Sequence, residues 1–218
     1  IVVTGAAHLA HVENQLGAAL DARIVVEPEA KNTAAAIALA AGLLPADAVM
    51  LVCPSDHHIA DVPAFQSAAA AAAALAADDW MVSFGITPNA PETGFGYIRR
   101  GGPVGAGFAV ERFVEKPDLA TAEAFLADGG YSWNGGIFAF RAGAFLAELA
   151  AHRPALAAAV ARAVAEGQAD GARFHPAPAP FAEIAGESVD YAVMENTARA
   201  AMVPVAMGWS DIGNWQAL

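Results

Sequence analysis

The sequence contains one cysteine, Cys53, and only two lysines, Lys31 and Lys116. A single cysteine excludes an internal disulfide framework and a thiolate zinc site. It fits a reducing, cytoplasmic compartment. The chain also lacks a long hydrophobic run, because no stretch approaches the ~20 strongly apolar residues of a membrane span. No signal-peptide pattern is visible either. We therefore expect a domain that does not cross a membrane and has no membrane partner.

Positive charge is also scarce. The 11 lysines and arginines stand against 23 acidic residues, which gives a formal net charge of -12. Nucleic acids require basic patches, so this balance argues against a nucleic-acid partner. An anionic ligand would need a local cation or a bound metal to offset the repulsion. With 218 residues, of which 56% are hydrophobic, the chain can form one large domain around a substantial core.

Apolar strands and helical runs alternate in the first half of the chain. This order predicts an α/β fold with a mixed, mostly parallel sheet and helices on both faces. A buried parallel strand is expected at residues 48–53, a continuous apolar run that ends at Pro54. We expect one domain over residues 1–218. The predicted strands are 23–26, 48–53, 81–86, 95–98 (interrupted by a glycine), 108–114, 133–140 and 201–205. The main predicted helices are 34–44, opened by Asn32 or Thr33, then 63–77, 119–126, capped by Asp118, 142–151 and 155–165.

Two aspartates follow predicted strands. Asp56 comes after strand 48–53 and Asp211 after strand 201–205, and in open α/β sheets ligands bind at such strand ends. Mg²⁺ prefers one or two carboxylates plus substrate phosphates, so the pair is a candidate metal site. Alternatively, Asp56 caps the next helix, and Asp211 belongs to a turn that only packs. A zinc site at the histidine pair 57–58 is disfavoured, since neighbouring side chains point apart.

Lys116 stands between Glu115 and Pro117, just before a helical pattern. This arrangement suits a phosphorylated, hydroxyl-rich ligand, because the ammonium can hold a phosphate and the carboxylate can accept sugar hydroxyls. The simpler interpretation is an exposed ion pair at a strand end. For an isolated Glu-Lys-Pro segment, that interpretation would be preferred.

Three further segments are candidates for ligand contact. In the loop 92–97, glycines such as Gly94 let a ligand approach the backbone, and Tyr97 offers a hydroxyl; the alternative is a glycine-rich hairpin. Asn134 could read sugar hydroxyls or simply satisfy strand-edge backbone. The helix start at residues 32–34 could offer backbone amides to a ligand, although ordinary capping is preferred.

Taken together, these segments resemble the mannose-1-phosphate guanylyltransferase family of nucleotide-sugar pyrophosphorylases. Seven motifs in order are far more specific than any one of them, and they extend over nearly the whole chain. They comprise residues 26–34, 54–57, 84–98, 113–118, 133–138, 188–195 and 208–213.

The resemblance implies a Rossmann-like nucleotidyltransferase core that makes GDP-mannose and pyrophosphate from GTP and mannose 1-phosphate, with Mg²⁺ as cofactor. It leaves a homo-oligomer open. The catalytic residues that it implies are Lys116, which matches the residue that holds the sugar phosphate, and Asp56 and Asp211, which match the Mg²⁺ positions. The binding residues that it implies are Glu115, Asn134, Gly94 and Tyr97 at the sugar, and Asn32, Thr33 and Ala34 near the guanine.

The resemblance does not extend to one signature of the family. Relatives open with a strand and a glycine-rich loop with an arginine, which cradles the nucleotide phosphates, whereas residues 1–20 look like a later segment. We therefore expect a chain truncated at its N-terminus, with severely impaired catalysis on its own. Truncation at the C-terminus and a following isomerase domain are left open. The alternatives are a non-catalytic nucleotide-sugar-binding or regulatory subunit and a pyrophosphorylase for another hexose 1-phosphate.

Overall fold

Helices and strands alternate along the chain, and the predicted α/β class is confirmed. The structure is a computed structural model that describes residues 1–17, 21–213 and 215. Two units can be distinguished, one formed by residues 1–48 and 142–196 and the other by residues 49–141 and the chain from 197 onward. None of the helices in these described ranges has both the length and the apolar content needed to cross a membrane.

The helices and strands predicted above occur in the predicted order, and the structure adds further short helices and strands that were not predicted. In chain order they are β1 (Val2–Gly5), α1 (Leu9–Leu16), β2 (Ile24–Glu27), α2 (Asn32–Gly42), β3 (Val49–Val52), β4 (His58–Ile59), α3 (Val62–Ala77), β5 (Met81–Ile86), β6 (Tyr97–Val104), β7 (Gly107–Val114), α4 (Leu119–Asp128), β8 (Tyr131–Arg141), α5 (Ala142–His152), α6 (Pro154–Ala165), β9 (Gln168–Asp170), β10 (Arg173–His175), α7 (Pro178–Ala182), β11 (Ala200–Val205) and β12 (Trp209–Ser210), with a 3-10 helix at Ala6–His8 and a π-helical turn at Asp190–Met194.

The first unit contains a four-stranded sheet in the order β1-β2-β10-β9. β2 runs parallel to both of its neighbours, and only β9 is antiparallel. Helix α2 is rich in alanine and buries most of its length. Its last residue, Gly42, lies so close to α6 that an added Cβ would come within 3.2 Å of Val164. Small side chains on α2 thus allow the close packing of these two helices.

The second unit contains a six-stranded sheet in the order β3-β8-β5-β11-β7-β6. β5 is buried at every position and pairs in parallel with β11. On one face, aromatic and aliphatic side chains from the sheet pack against α3 and α4 to form a continuous core. Helix α3 begins where predicted: Pro63 lies in its first turn and the Asp61 carboxylate accepts a hydrogen bond from the Ala64 amide at 2.9 Å.

The prediction for residues 48–53 was wrong in direction and in burial. β3 pairs antiparallel with β8 and is an edge strand among the described residues. Val49 and Leu51 remain 40% and 44% exposed. A continuous apolar run does not reveal the direction of a strand or its place in a sheet. The sheets are mixed, as predicted, but most of the pairings between described residues are antiparallel rather than parallel.

The start of α2 also differs from the prediction. Lys31, rather than Asn32 or Thr33, occupies the N-cap position, and no side chain caps the helix there. Asn32 has a φ of 66°, in the left-handed region that asparagine tolerates better than most residues. Helix α4, in contrast, is capped as predicted, since the Asp118 carboxylate accepts from the Thr121 amide at 2.8 Å.

Candidate active site

The two candidate metal-binding aspartates flank a short β-ribbon in the second unit. Asp56 comes two residues before β4, and Asp211 comes directly after β12. β4 and β12 pair antiparallel, with His58 opposite Ser210 and Ile59 opposite Trp209. Against the larger lowering effect of burial, the carboxylates of Asp56 and Asp211 both raise the pKa of the His57 ring. The ribbon thus pairs the chain segment that follows Asp56 with the segment that precedes Asp211, although these aspartates are 155 positions apart in the sequence.

Trp209 holds the ring of His57, the residue that follows Asp56. The indole Nε1 donates a hydrogen bond to His57 Nδ1 at 3.1 Å, and the rings meet edge to face with centroids 5.3 Å apart. Because Nδ1 accepts this bond, the proton of the neutral imidazole lies on Nε2. Burial lowers the pKa of His57, against the raising effect of Asp56 and Asp211.

The acidic residues beside this ribbon suit Mg²⁺, which needs few protein ligands, better than a metal ion that needs a full set of protein ligands. Among the described residues, no group of three or more His, Cys, Asp or Glu side chains is placed to hold a metal ion. Two carboxylates are hard oxygen donors, which Mg²⁺ combines with substrate phosphates. The Asp211 carboxylate is oriented by its own turn, since Oδ1 accepts from the Gly213 amide at 3.0 Å. Asp56 and Asp211 are thus the residues that would hold the ion.

Lys116 and Glu115 form a second charged cluster in the same unit. The ammonium lies 3.2 Å from Glu115 Oε1, and the lysine side chain is 65% exposed whereas the glutamate side chain is only 18% exposed. Lys116 has a φ of 45°, in the left-handed region. Non-glycine residues rarely adopt this conformation, and it is often associated with a functional site. The turn after β7 thus presents a cation to solvent beside a sheltered carboxylate.

Asn134 and Glu115 meet across Gly96. A Cβ at Gly96 would lie 2.6 Å from Glu115 Oε2 and 3.4 Å from the Asn134 Cβ. The Asn134 amide nitrogen donates to the Gly96 carbonyl at 2.8 Å, and its side-chain Oδ1 accepts from the Gly136 amide at 3.3 Å. The side chain therefore also serves the local backbone, as the simpler interpretation predicted. Gly136 in turn lies against His57, because its Cβ position is 3.5 Å from His57 Cε1.

The prediction that the Tyr97 hydroxyl contacts a sugar needs correction. Tyr97 is fully buried, and its hydroxyl donates to the Glu92 carbonyl at 2.9 Å. Burial also raises the pKa of this hydroxyl. The side chain therefore holds the loop 92–97 from inside and has no surface to offer a ligand. Gly94 is exposed, with open space where a Cβ would stand, which suits a ligand approaching the backbone.

Asn32, Thr33 and Ala34 belong to the first unit. The Thr33 amide donates to Asn32 Oδ1 at 2.8 Å, and the Ala34 amide donates to the Glu187 carbonyl at 3.2 Å. The Thr33 hydroxyl accepts from the Val189 amide at 2.9 Å. Two of the amides predicted to be available to a ligand therefore already have partners in this structure.

The sequence suggested no partner for His57, for Trp209 or for the glycine at position 96. All three lie inside the motifs described above. The available signals were an aromatic residue two positions before Asp211 and a glycine flanked by the aromatic residues Phe95 and Tyr97. Neither signal says which distant side chain is the partner, so only the structure could assign these contacts.

The fold and the site define a class of protein. An α/β chain with carboxylates after its strands and an exposed lysine beside a sheltered glutamate has the fold and the residue types of a nucleotidyltransferase. The comparison of sequences agrees, since residues 1–218 match the profile of the nucleotidyl transferase family. The chain belongs to that family.

Several relatives show where in the family the chain lies. It is 50% identical to the xanthan biosynthesis protein XanB of Xanthomonas campestris pv. campestris (strain B100), over 89% of this chain and 42% of that protein. It is 46% identical to the mannose-1-phosphate guanylyltransferase of Escherichia coli K12, over 91% of this chain and 44% of that protein. The chain thus spans less than half the length of these relatives.

A solved structure supports the fold. The crystal structure of a protein described as mannose-1-phosphate geranyltransferase from Thermus thermophilus superposes with a TM-score of 0.86 and 32% identity. The superposition covers 99% of this chain and 62% of the other chain.

Proposed function

We propose that the protein containing this chain transfers GMP from GTP to mannose 1-phosphate, giving GDP-mannose and pyrophosphate. The observation that carries the proposal is the continuity of the site in the second unit. Glu115 lies against Gly96, and the Asn134 backbone amide donates to the Gly96 carbonyl. Gly136, whose amide bonds to the Asn134 side chain, lies against His57, whose ring is affected electrostatically by Asp56 and Asp211. The 46% identity to the mannose-1-phosphate guanylyltransferase of Escherichia coli supports the choice of reaction and of sugar.

The residues suit an in-line displacement. An oxygen of the sugar phosphate attacks the α-phosphorus of GTP, the bond to the bridging oxygen breaks, and pyrophosphate leaves. Lys116 holds the sugar phosphate and offsets its charge, while Glu115 accepts hydrogen bonds from the sugar hydroxyls. Asp56 and Asp211 would hold Mg²⁺, which would neutralise charge at the phosphates. A cytoplasmic location fits the lone cysteine.

A thermal-shift titration of this chain with GDP-mannose and UDP-glucose, each with and without Mg²⁺, tests the specificity. A ligand that binds only the folded state stabilises it by about 2.7 kcal/mol at 100 times Kd. We expect a larger rise in Tm with GDP-mannose, increased by Mg²⁺. An equal rise with UDP-glucose would point to another nucleotide sugar. If the full-length protein binds GDP-mannose but releases no pyrophosphate from GTP and mannose 1-phosphate, it is a binding subunit and the proposal fails.

Replacing Gly96 with alanine tests the sugar-binding part of the site. The new Cβ would stand 2.6 Å from Glu115 Oε2, so the flexible carboxylate has to move. We expect the KM of the full-length protein for mannose 1-phosphate to rise by about 10-fold or more. The Tm should fall as well, because Gly96 is buried and the new Cβ would also stand 3.3 Å from Phe113 Cε1. Gly102→Ala is the matched control, because Gly102 is exposed and has open space at its Cβ position. An unchanged KM in Gly96→Ala would remove Glu115 from the proposed sugar site.

A further inference from the structure

Trp209 contacts both loops that carry the proposed site. Through its indole nitrogen it bonds to His57, in the loop of Asp56. Through its ring it meets Phe95, the neighbour of Gly94, with centroids 5.3 Å apart and planes at 68°. These are two chemically different contacts, a hydrogen bond on one side and an edge-to-face aromatic contact on the other. A single substitution can therefore remove one contact and keep the other.

The Trp209 side chain is itself anchored to the core of its unit. It is partly buried and packs against the hydrophobic cluster that includes the buried Trp133. Phe95 lies between the two indoles, since it also meets Trp133 edge to face, with centroids 5.2 Å apart. Edge-to-face geometry is a preferred arrangement of aromatic pairs and limits how each ring can move. The core thus supports Trp209, and Trp209 supports two exposed loops.

The hydrogen bond to His57 acts next to both carboxylates. His57 follows Asp56 directly, and Trp209 stands two residues before Asp211. A bond of 3.1 Å between their side chains therefore ties together the two chain segments that have to meet for one cation to be shared. Side chains that do not contact the ion but position the groups that bind it have a strong effect on metal affinity.

We propose that Trp209 is a positioning residue with two separable roles, an inference that rests on the proposed function. Its N–H group fixes His57 and with it the Asp56 loop beside Asp211, where the cation binds. Its ring supports Phe95 and holds the loop of Gly94 where the sugar nucleotide binds. Loss of the N–H group alone weakens the cation site, and loss of the Phe95 ring alone weakens the sugar-nucleotide site.

Four substitutions separate the two roles. Trp209→Phe removes the N–H group and keeps an aromatic ring beside Phe95. His57→Ala removes the acceptor without touching the core, and His57→Gln restores an acceptor oxygen. Phe95→Leu removes the aromatic contact and leaves the hydrogen bond. The matched control is Trp80→Phe, because Trp80 packs against the same hydrophobic cluster as Trp209 but lies just before β5, with the Arg199 guanidinium 4.9 Å from its ring.

Two binding measurements on the full-length protein test the two roles of Trp209 separately, and neither depends on catalysis. Mn²⁺ binding is followed by electron paramagnetic resonance without nucleotide, and GDP-mannose binding is followed by calorimetry in EDTA. We expect Trp209→Phe and His57→Ala to weaken Mn²⁺ binding by about 10-fold and to leave GDP-mannose binding in EDTA within about 2-fold. His57→Gln should recover most of the Mn²⁺ affinity. Phe95→Leu should show the reverse pattern, with GDP-mannose weakened by about 3- to 10-fold, and Trp80→Phe should change neither.

Native Mn²⁺ affinity in both Trp209→Phe and His57→Ala would overturn the positioning role and leave the proposed reaction standing. Equal loss of both ligands in Trp209→Phe, together with a fall in Tm, would show a purely structural tryptophan. An unaltered protein that does not bind Mn²⁺ overturns both the cation site and this inference. The proposed reaction is tested separately, since it fails if the unaltered full-length protein forms no GDP-mannose.

Discussion

Asp211→Asn is expected to lower the kcat for GDP-mannose formation by about 10³-fold while the protein stays folded. The substitution removes one of the two negative charges available to hold the cation. It keeps an oxygen at the position of Oδ1, which accepts from the Gly213 amide at 3.0 Å, so the turn retains its shape. The loss therefore reports on the charge and not on the geometry of the loop. Steady-state kinetics of the full-length protein over a range of Mg²⁺ concentrations measure it.

The control for this substitution is Asp78→Asn. Asp78 is an exposed aspartate that follows α3, and its replacement removes the same charge from the same unit. We expect native kinetics in this variant and a Tm within about 2 °C of the native value in both variants. Retained turnover in Asp211→Asn would refute the assignment of Asp211 to the cation. A collapse of Tm in that variant alone would show that the carboxylate has a structural role.

Lys116→Ala is expected to lower kcat/KM for mannose 1-phosphate by about 10²-fold or more. The ammonium is 65% exposed and its ion pair with Glu115 is at the surface, so its removal should hardly change the stability. The effect should fall on the sugar phosphate, with a much smaller change in the KM for GTP. Lys116→Arg should recover only part of the activity, because a planar guanidinium does not replace a compact ammonium.

A general loss of positive charge has to be separated from the loss of this contact. Arg112→Ala provides the comparison, since Arg112 is an exposed cation on β7, four residues before Lys116. If only the net charge near the site matters, both variants lose the same activity. We expect Arg112→Ala to stay within about 3-fold of the native kcat/KM. Equal losses would contradict the role of Lys116 as the phosphate-holding residue.

The elements with clear local signals were predicted well. Helix α3 has Asp61 and Pro63 at its start, and helix α4 has Asp118. Capping and turn residues act over three or four positions, so the sequence shows them directly. The order of the motifs likewise placed the chain in its family before any geometry was known, and the family match over residues 1–218 confirms that prediction.

The errors concern properties that depend on distant partners. Residues 48–53 were predicted to be a buried parallel strand, whereas β3 is an antiparallel edge strand in the described part of the chain. Tyr97 was expected to offer its hydroxyl to a sugar, whereas it points into the core and bonds to Glu92. An apolar run and a tyrosine look the same in the sequence whichever way the sheet is assembled around them.

The sequence by itself determined the α/β class, the family and the residue types of the site, because composition, capping signals and ordered motifs are properties of short segments. Only the tertiary structure decided which of these residues meet. The bond between Trp209 and His57 joins positions 152 residues apart, and the fit of Glu115 against Gly96 depends on the pairing of β6 with β7. Such contacts follow from strand register and from packing between distant segments, which no local pattern encodes.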